Sequence, residues 1–238
     1  MMVGRVEQMI TGAVHALVNR DIERAESTIA RDKDVNQDEV DLDRMCIEIL
    51  SVYQLEEADL RMVTVAMKMV TDLERIGDLA VNICERAMQL ANEQPLVQFE
   101  KIPRMGLVVR SMVKEAIDAF IDRDESSARS VLKRDDEVDD LYEAVFEELL
   151  KLMLADSGNV HRGIHFQSAA KYLERIGDHS TNLAEQVIFM LKGTDIRHPK
   201  LWRNKAHSLS SGSAYTASAA SAESPKGTDI RHPGPPIE

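Results

Sequence analysis

The sequence predicts an all-α protein made of two tandem, pseudo-symmetric three-helix bundles, followed by a disordered C-terminal tail. Three observations predict this. Apolar residues recur with helical spacing over residues 2–191, where prolines occur only at Pro95 and Pro103. Aromatic residues make up only 4% of the chain, so the core must consist of aliphatic residues that mostly favour helices. The hexapeptide LERIGD occurs twice, at Leu73–Asp78 and Leu173–Asp178.

The duplication extends well beyond this hexapeptide. Met2–Asp21 aligns without gaps to Met105–Asp124, and the register holds through Arg31 and Arg134. After a short deletion in the second half, the alignment resumes at LERIGD. A repeat of this length predicts two structural units of the same kind.

Each half is predicted to contain three helices, and the short connections between them make neighbours antiparallel. The predicted helices are about Met2–Ala30, Val35–Val52, Ala58–Glu93, Met105–Arg134, Val138–Ala155 and Asn159–Leu191. The predicted domains are a bundle at 1–93, a linker at 94–104, a second bundle at 105–198 and a tail at 199–238.

The tail differs in composition from the rest of the chain. It is rich in Ser, Ala, Gly and Pro and has too few large apolar residues to order itself. It also repeats the segment KGTDIRHP of residues 192–199 at 226–233. The first copy is expected to end the last helix, with Gly193 as its C-cap. The second copy is interpreted as a segmental duplication in preference to a competing docking peptide.

Charge and composition exclude several classes of protein. The net charge of −12 argues against a nucleic-acid partner, which requires a basic surface. No apolar run approaches the roughly 18 residues of a membrane span, and no N-terminal signal pattern occurs. We therefore expect a cytoplasmic protein. Cys46 and Cys84 stand alone within apolar helical patterns and are predicted to be buried core residues.

The repeated hexapeptide also places acidic residues along one side of a helix. At about 100° per residue, a stripe of oxygen-bearing side chains faces away from the apolar side. Its members are Glu74, Asp78, Asn82 and Glu85 in the first half and Glu174, Asp178, Asn182 and Glu185 in the second. On the preceding helix, Glu39 and Asp43 have the same i, i+4 spacing.

Two interpretations of this stripe remain open. Acidic residues four apart repel each other, and a divalent or trivalent cation would turn that repulsion into attraction. Alternatively, the stripe is a solvated face in which Arg75 and Arg175 ease the repulsion. Gly77 and Gly177 cost about 1 kcal/mol each in a helix interior, and their position beside the apolar face predicts close packing of a neighbouring helix.

Enzymatic alternatives find little support. A di-iron carboxylate enzyme needs Glu-x-x-His motifs, which are absent from the sequence. The glycine spacing at 158–164 is that of a phosphate loop, but the required lysine is missing. His161 and His165 could ligate a metal, although a half-buried or solvated pair is the favoured interpretation. No nucleophile context for Ser/His/Asp catalysis is recognisable.

These motifs resemble the PhoU family of phosphate-signalling regulators. The resemblance is carried by the two LERIGD turns with their Asn-x-x-Glu continuations, by EADLRMV at Glu57–Val63, and by the pattern from Val35 to Asp43. The segment GTDIRH at 193–198 also matches, so the resemblance covers residues 2–198 in register with both halves. The family usually has more helix before the position of Met2, so either the start is misassigned or the first helix is shorter than in the family.

The resemblance implies metal clusters, often of iron, bound through E(D)-x-x-x-D motifs. Carried over by position, the metal candidates are Glu39, Asp43, Glu74, Asp78, Glu174 and Asp178, with Glu85, Glu143 and Glu185 as further candidates. The ions would be iron, zinc, manganese or magnesium. In the second half Tyr142 replaces Glu39 and Phe146 replaces Asp43, so that cluster is expected to be weaker or to rely on Asp139 and Glu143.

The resemblance also implies a non-enzymatic negative regulator of the phosphate-starvation response and of phosphate uptake. Such a protein links the PstB ATPase of the phosphate ABC transporter to the sensor histidine kinase PhoR, maintains phosphate homeostasis and commonly forms a homodimer. It would reach the membrane only through its partners. A metal-free helical scaffold with a different partner is the alternative.

Overall fold

Seven α-helices make up the residues that the structure describes, and no strand occurs among them. The computed structural model describes residues 2–94, 96 and 100–194. The first repeat contains α1 (Met2–Asn19), α2 (Ile22–Ile29), α3 (Asp32–Val52) and α4 (Glu57–Leu90). The second contains α5 (Lys101–Asp122), α6 (Glu125–Ala155) and α7 (Val160–Lys192), with a 3-10 turn at Ser157–Asn159 before α7.

An Arg-Asp pair ends the first helix of each repeat and starts the next. Arg20 and Arg123 have φ angles of 56° and 54°, a left-handed conformation that a right-handed helix cannot continue. The side chains of Asp21 and Asp124 then cap the following helix by accepting a hydrogen bond from a backbone N–H two or three residues on. Helix-stop and helix-start signals therefore lie side by side in both repeats.

Three boundaries predicted from the sequence were wrong. Residues 22–29 form the separate helix α2 instead of the end of the predicted helix Met2–Ala30. In the second repeat, residues 125–134 open α6, which continues through the break predicted before Val138. The linker predicted at 94–104 ends at Lys101, where α5 begins, because a proline in the first turn of a helix loses no intrahelical hydrogen bond.

The helices pack as two three-helix bundles that also contact each other. In the first repeat α1, α3 and α4 contact one another, and α2 packs on α1 and α4. In the second, α5, α6 and α7 contact one another. The predicted pair of bundles is confirmed, while the assignment of each bundle as a separate domain stays a prediction. The predicted tail at 199–238 lies outside the described residues.

One hydrophobic core extends through both bundles. Helices α4 and α7 pack together across the repeats, as do α1 and α5. Polar contacts reinforce the α4–α7 packing, because His179 Nδ1 lies 2.9 Å from Asp72 Oδ1 and Gln186 Nε2 donates to Asp72 Oδ2 at 3.1 Å. The Lys68 ammonium lies 5.9 Å from the centre of the Phe189 ring.

The predicted roles of three further residues are confirmed. Cys46 and Cys84 are buried free thiols, and burial raises the pKa of Cys84 to about 12. Gly193 caps α7 with a φ of 66°, and its N–H donates to the carbonyl oxygen of Phe189 at 2.8 Å. Within the described residues, no helix has both the length and the apolar content needed to span a bilayer.

Gly106 lies where α5 meets α1, and we expect Gly106→Ala to destabilise the protein. A Cβ there would lie 2.7 Å from Val14 Cγ2, a distance that forces the two helices apart. We expect the free energy of unfolding to fall by about 1–3 kcal/mol in urea denaturation. Gly4 in α1 is the control, because a Cβ there meets nothing within 4 Å. Gly4→Ala should leave stability unchanged or raise it by up to about 1 kcal/mol, and equal effects at both positions would contradict the packing.

Candidate functional site

The first carboxylate face is formed where α3 packs on α4. We define it by Asp32, Glu39 and Asp43 on α3 and by Glu74 and Asp78 on α4. The four carboxylates predicted from the first repeat therefore share one helix–helix contact. Asp78 lies at its electrostatic centre, since its charge raises the pKa of Asp32, Glu39 and Glu74.

This face is more buried than the helical wheel predicts. The Glu74 side chain is only 16% exposed and that of Glu174, its counterpart in the second repeat, only 14%. The expectation that the stripe faces outward was wrong for these two residues. A wheel assigns one buried side to a helix, whereas α4 contacts α1, α2, α3 and α7.

Burial and repulsion between neighbouring carboxylates raise pKa values in the first face. Burial, followed by the charge of Asp78, raises the pKa of Glu74. Burial, followed by the charge of Asp43, raises the pKa of Glu39. Arg75 offsets part of this, with Nε 3.5 Å from Glu74 Oε2 and Nη1 3.3 Å from Asp78 Oδ2. One arginine does not balance five carboxylates, so the face retains a surplus of negative charge.

Asp32 belongs to this face although its role was missed in the sequence. Its Oδ2 accepts a hydrogen bond from Asn36 Nδ2 at 2.9 Å, while its Oδ1 is buried without a hydrogen-bond partner. Burial and then Asp78 raise its pKa. The sequence contains a signal that could have identified Asp32, because Arg31-Asp32 recurs as Arg134-Asp135 in the same register of the duplication.

The repeated glycines face these aspartates, with different packing in the two halves. A Cβ on Gly77 would lie 3.5 Å from Val35 Cγ1 and 3.8 Å from Asp32 Oδ1, which are ordinary contact distances. A Cβ on Gly177 would lie 3.3 Å from Val138 Cγ1, which is tighter. The predicted close approach is therefore confirmed, and a Cβ would make Val138 shift by a few tenths of an ångström in the second half but would fit at ordinary distances in the first.

The second carboxylate face lies between α6 and α7. We define it by Asp135 and Asp139 on α6 and by Glu174 and Asp178 on α7. Burial, followed by the charges of Asp139, Asp178 and Glu174, raises the pKa of Asp135 to about 6. Burial and then Glu174 also raise the pKa of Asp139 and Asp178, although both side chains keep contact with solvent.

A lysine and an aromatic ring distinguish the second face from the first. Lys171 Nζ lies 2.7 Å from Glu174 Oε2 and 5.4 Å from the centre of the Tyr142 ring. Tyr142 is half-buried against the core, and Phe146 is 44% exposed. The expectation that this cluster relies on Asp139 and Glu143 stays a prediction: Asp139 interacts electrostatically with Glu174, and Glu143 is exposed, as Asp139 is.

The remaining candidates lie outside both faces. Glu85 is exposed and pairs with the neighbouring Arg86, its Oε2 lying 3.3 Å from Nη2. Glu185 is half-buried. His161 and His165 bring their Nε2 atoms to 3.2 Å, and Glu93 Oε1 lies 3.5 Å from His161 Nδ1. Across residues 2–94, 96 and 100–194, no three His, Cys, Asp or Glu side chains converge as they stand on a position suited to a metal ion.

Two tandem three-helix bundles, each with acidic side chains between its last two helical segments, define a class of duplicated all-α proteins. The family model described as "PhoU domain" matches residues 1–87 and again residues 102–187. The chain therefore belongs to the PhoU domain family.

Relatives and solved structures agree with this membership. A "Phosphate-specific transport system accessory protein PhoU homolog" from Aquifex aeolicus is 40% identical over 193 residues, which cover 81% of this chain and 87% of that protein. The protein of the same description from Pseudomonas aeruginosa is 39% identical, covering 85% and 84%. The crystal structure of PhoU from Pseudomonas aeruginosa superposes with a TM-score of 0.77 at 38% identity, covering 81% of this chain and 93% of that one.

The raised pKa of Asp135 predicts a pH-dependent stability. A carboxyl that is protonated more easily in the folded state stabilises the fold at low pH and loses that contribution as pH rises from about 4 to about 6. Asp135→Asn stays neutral, so we expect the variant to be more stable than the wild type at pH 7 by about 1–2 kcal/mol, allowing for solvent screening. The two should be equally stable near pH 4.

Urea denaturation between pH 4 and pH 7 in the presence of a chelator measures this difference. Asp140→Asn, at an exposed position on the same helix, is the control and should follow the wild type within a few tenths of a kcal/mol. Parallel curves for Asp135→Asn and the wild type would show that Asp135 carries no unfavourable charge.

Proposed function

We propose that this protein is a non-enzymatic accessory regulator of phosphate transport that represses the phosphate-starvation response. It acts on the cytoplasmic side as an adaptor between a PstB-like transporter ATPase and a PhoR-like sensor histidine kinase. By engaging both when phosphate is plentiful, it limits phosphate uptake and kinase output and so maintains phosphate homeostasis. The observation that carries the proposal is family membership over both repeats.

The relatives' names support the connection with phosphate transport. Two proteins of about 40% identity bear the name of a phosphate-specific transport system accessory protein, and each match extends over more than four-fifths of this chain. The word accessory favours a binding role over catalysis. The described residues also contain no Glu-x-x-His pair of the kind that a di-iron enzyme uses.

Exposed apolar side chains at the ends of two helical hairpins support a role in protein binding. Val52 and Tyr53, at the end of α3, are 67% and 63% exposed. Leu154, at the end of α6, is 79% exposed, and Ile164 in the first turns of α7 is 55% exposed. Apolar side chains grouped in this way favour contact with another protein, either a partner or a second copy of the chain in a homodimer.

The metal-dependent form of the proposal concerns the first carboxylate face. Its donors suit a hard or borderline cation such as iron, manganese, magnesium or zinc, which prefer carboxylate oxygens or accept them. The buried Oδ1 of Asp32 has no hydrogen-bond partner, so an additional cation there would meet an unsatisfied acceptor. Glu39, Asp43, Glu74 and Asp78 would be the other ligands, after rotation of side chains that Arg75 now holds. A bound ion would offset their repulsion and fix α3 against α4.

A metal-free scaffold is the second candidate. It is favoured by the arrangement of the side chains, since Arg75 pairs with Glu74 and Asp78 and so offsets part of their charge. In this form the same helices serve only as a protein-binding surface, and removal of metal ions leaves their stability unchanged.

A pull-down with the transporter ATPase and the kinase cytoplasmic region tests the regulatory proposal. We expect both to be retained by the full chain in the presence of phosphate and less in its absence. Tyr53→Ser and Leu154→Ser should weaken retention at least about tenfold, the equivalent of 1.4 kcal/mol, because exposed apolar anchors contribute on this scale. Ile121→Ser, at a position on α5 that is 69% exposed, is the control and should bind like the wild type. No retention of either protein in either condition would contradict the proposal.

Chelation tests the metal-dependent form. An ion present at a hundredfold its Kd adds about 2.7 kcal/mol to stability, or about 5–10 °C in Tm for a chain of this length. We therefore expect a chelator to lower the Tm of protein purified without a histidine tag. The double variant Glu74→Gln, Asp78→Asn should show no such change, whereas Glu48→Gln on the exposed side of α3 should respond like the wild type. A Tm that is the same with and without chelator favours the metal-free scaffold.

A further inference from the structure

The two carboxylate faces are related by the duplication but differ at four places that decide their charge. In the register of the repeat, Tyr142 takes the place of Glu39 and Phe146 that of Asp43. Lys171 takes the place of Thr71 on the neighbouring helix. The second face has therefore replaced two carboxylates by aromatic rings and gained an ammonium group, with Asp139 in the place of Asn36 as its single added acid.

The ammonium group of Lys171 lies beside Glu174 on the second face, on a side chain that is 48% exposed. Its Nζ lies 2.7 Å from Oε2 of Glu174, whose side chain is 14% exposed, and over the Tyr142 ring at 5.4 Å from the ring centre. An ammonium held between a carboxylate and an aromatic face is stabilised by both. The same charge offsets part of the repulsion felt by Asp139 and Asp178.

The first face has no such arrangement. Thr71 donates its hydroxyl hydrogen to the carbonyl oxygen of Met67 in its own helix, at 3.4 Å, and contributes no charge. Arg75 is 59% exposed and approaches Glu74 and Asp78 no closer than 3.3 Å. Asp32 Oδ1 remains buried without a hydrogen-bond partner. Glu174 Oε2 of the second face is likewise buried without a hydrogen-bond partner, but the Lys171 ammonium forms an ion pair with it, whereas no ion pair reaches Asp32 within the described residues.

We propose that the second carboxylate face takes no metal ion because the Lys171 ammonium, held over Tyr142, already supplies its positive charge. Metal binding by the chain is then confined to the first face. An ion at the second face would have to displace the ammonium from Glu174, and Phe146 offers no oxygen ligand in place of the carboxylate of Asp43. This inference rests on the metal-dependent form of the proposed function, but the two can fail separately.

Titration of the full chain with Mn²⁺, with free ions counted by electron paramagnetic resonance, tests the inference. We expect Glu74→Gln, Asp78→Asn to abolish Mn²⁺ binding and Glu174→Gln, Asp178→Asn to leave the number of bound ions unchanged. Fewer bound ions in the second variant would overturn the inference, while the metal-dependent function would stand.

The converse variant restores the residues of the first repeat. Lys171→Thr with Tyr142→Glu should add at least one bound Mn²⁺ per chain, and the added binding should disappear when Glu174→Gln and Asp178→Asn are introduced as well. No gain would overturn the inference. If the wild type binds no Mn²⁺, the metal-dependent function fails, and a gain in this variant still supports the role of Lys171.

A second measurement does not require metal at all. In the presence of a chelator, Lys171→Thr should lower the Tm because Glu174 is left buried without its cation, whereas Lys171→Arg should keep the Tm within about 2 °C of the wild type. Equal melting of Lys171→Thr and the wild type would show that the ammonium does not neutralise the face.

Discussion

The contact between α4 and α7 determines where the other helices can lie. These are the two longest helices, with 34 and 33 residues, and both carry LERIGD. Each packs against the other and against the first helix of its own repeat, while Glu74 and Glu174 lie on the side that meets α3 or α6. Glu74 and Glu174 consequently lie beneath a neighbouring helix, whereas Asp78, Asp178 and Glu85 keep contact with solvent.

This placement makes the two carboxylate faces a source of instability in the folded chain. Carboxylates that are far apart in the unfolded state are brought together and partly removed from water on folding, which raises the pKa of Glu74 and Asp135. The two halves offset this repulsion with different side chains. The first keeps its acids and a single arginine, while the second supplies a lysine from its own helix.

Much of the fold follows from sequence pattern alone. Helical periodicity and the duplicated register predict both bundles, and the glycine at 193 predicts the end of α7. The breaks at Arg20 and Arg123 were missed because a left-handed residue within an amphipathic pattern leaves the apolar spacing nearly undisturbed. Here the aspartate that follows each arginine was the better signal, since it is a favoured N-cap.

The candidate site could be predicted from the sequence only in part. Spacing along one helix identifies Glu74 and Asp78, but it does not show which residues of the next helix come to lie over them. The place of Asp32 in the site follows only from the packing of α3 on α4, which brings it near Asp78. The pairing of Lys171 with Glu174 within one helix could be predicted from spacing, whereas its position over Tyr142 could not.

The polar contact between Asp72 and His179 has a consequence for how such a chain diverges. The repeat partners of these residues are Tyr172 and Leu79, so the contact exists once and has no mirror image. In an assembly of two identical subunits every substitution appears twice, and a change that helps one copy is imposed on the other. When the two copies are fused into one polypeptide, a substitution can occur in one copy without appearing in the other. Each copy was then free to specialise, one by keeping its acids and the other by carrying its own counter-charge.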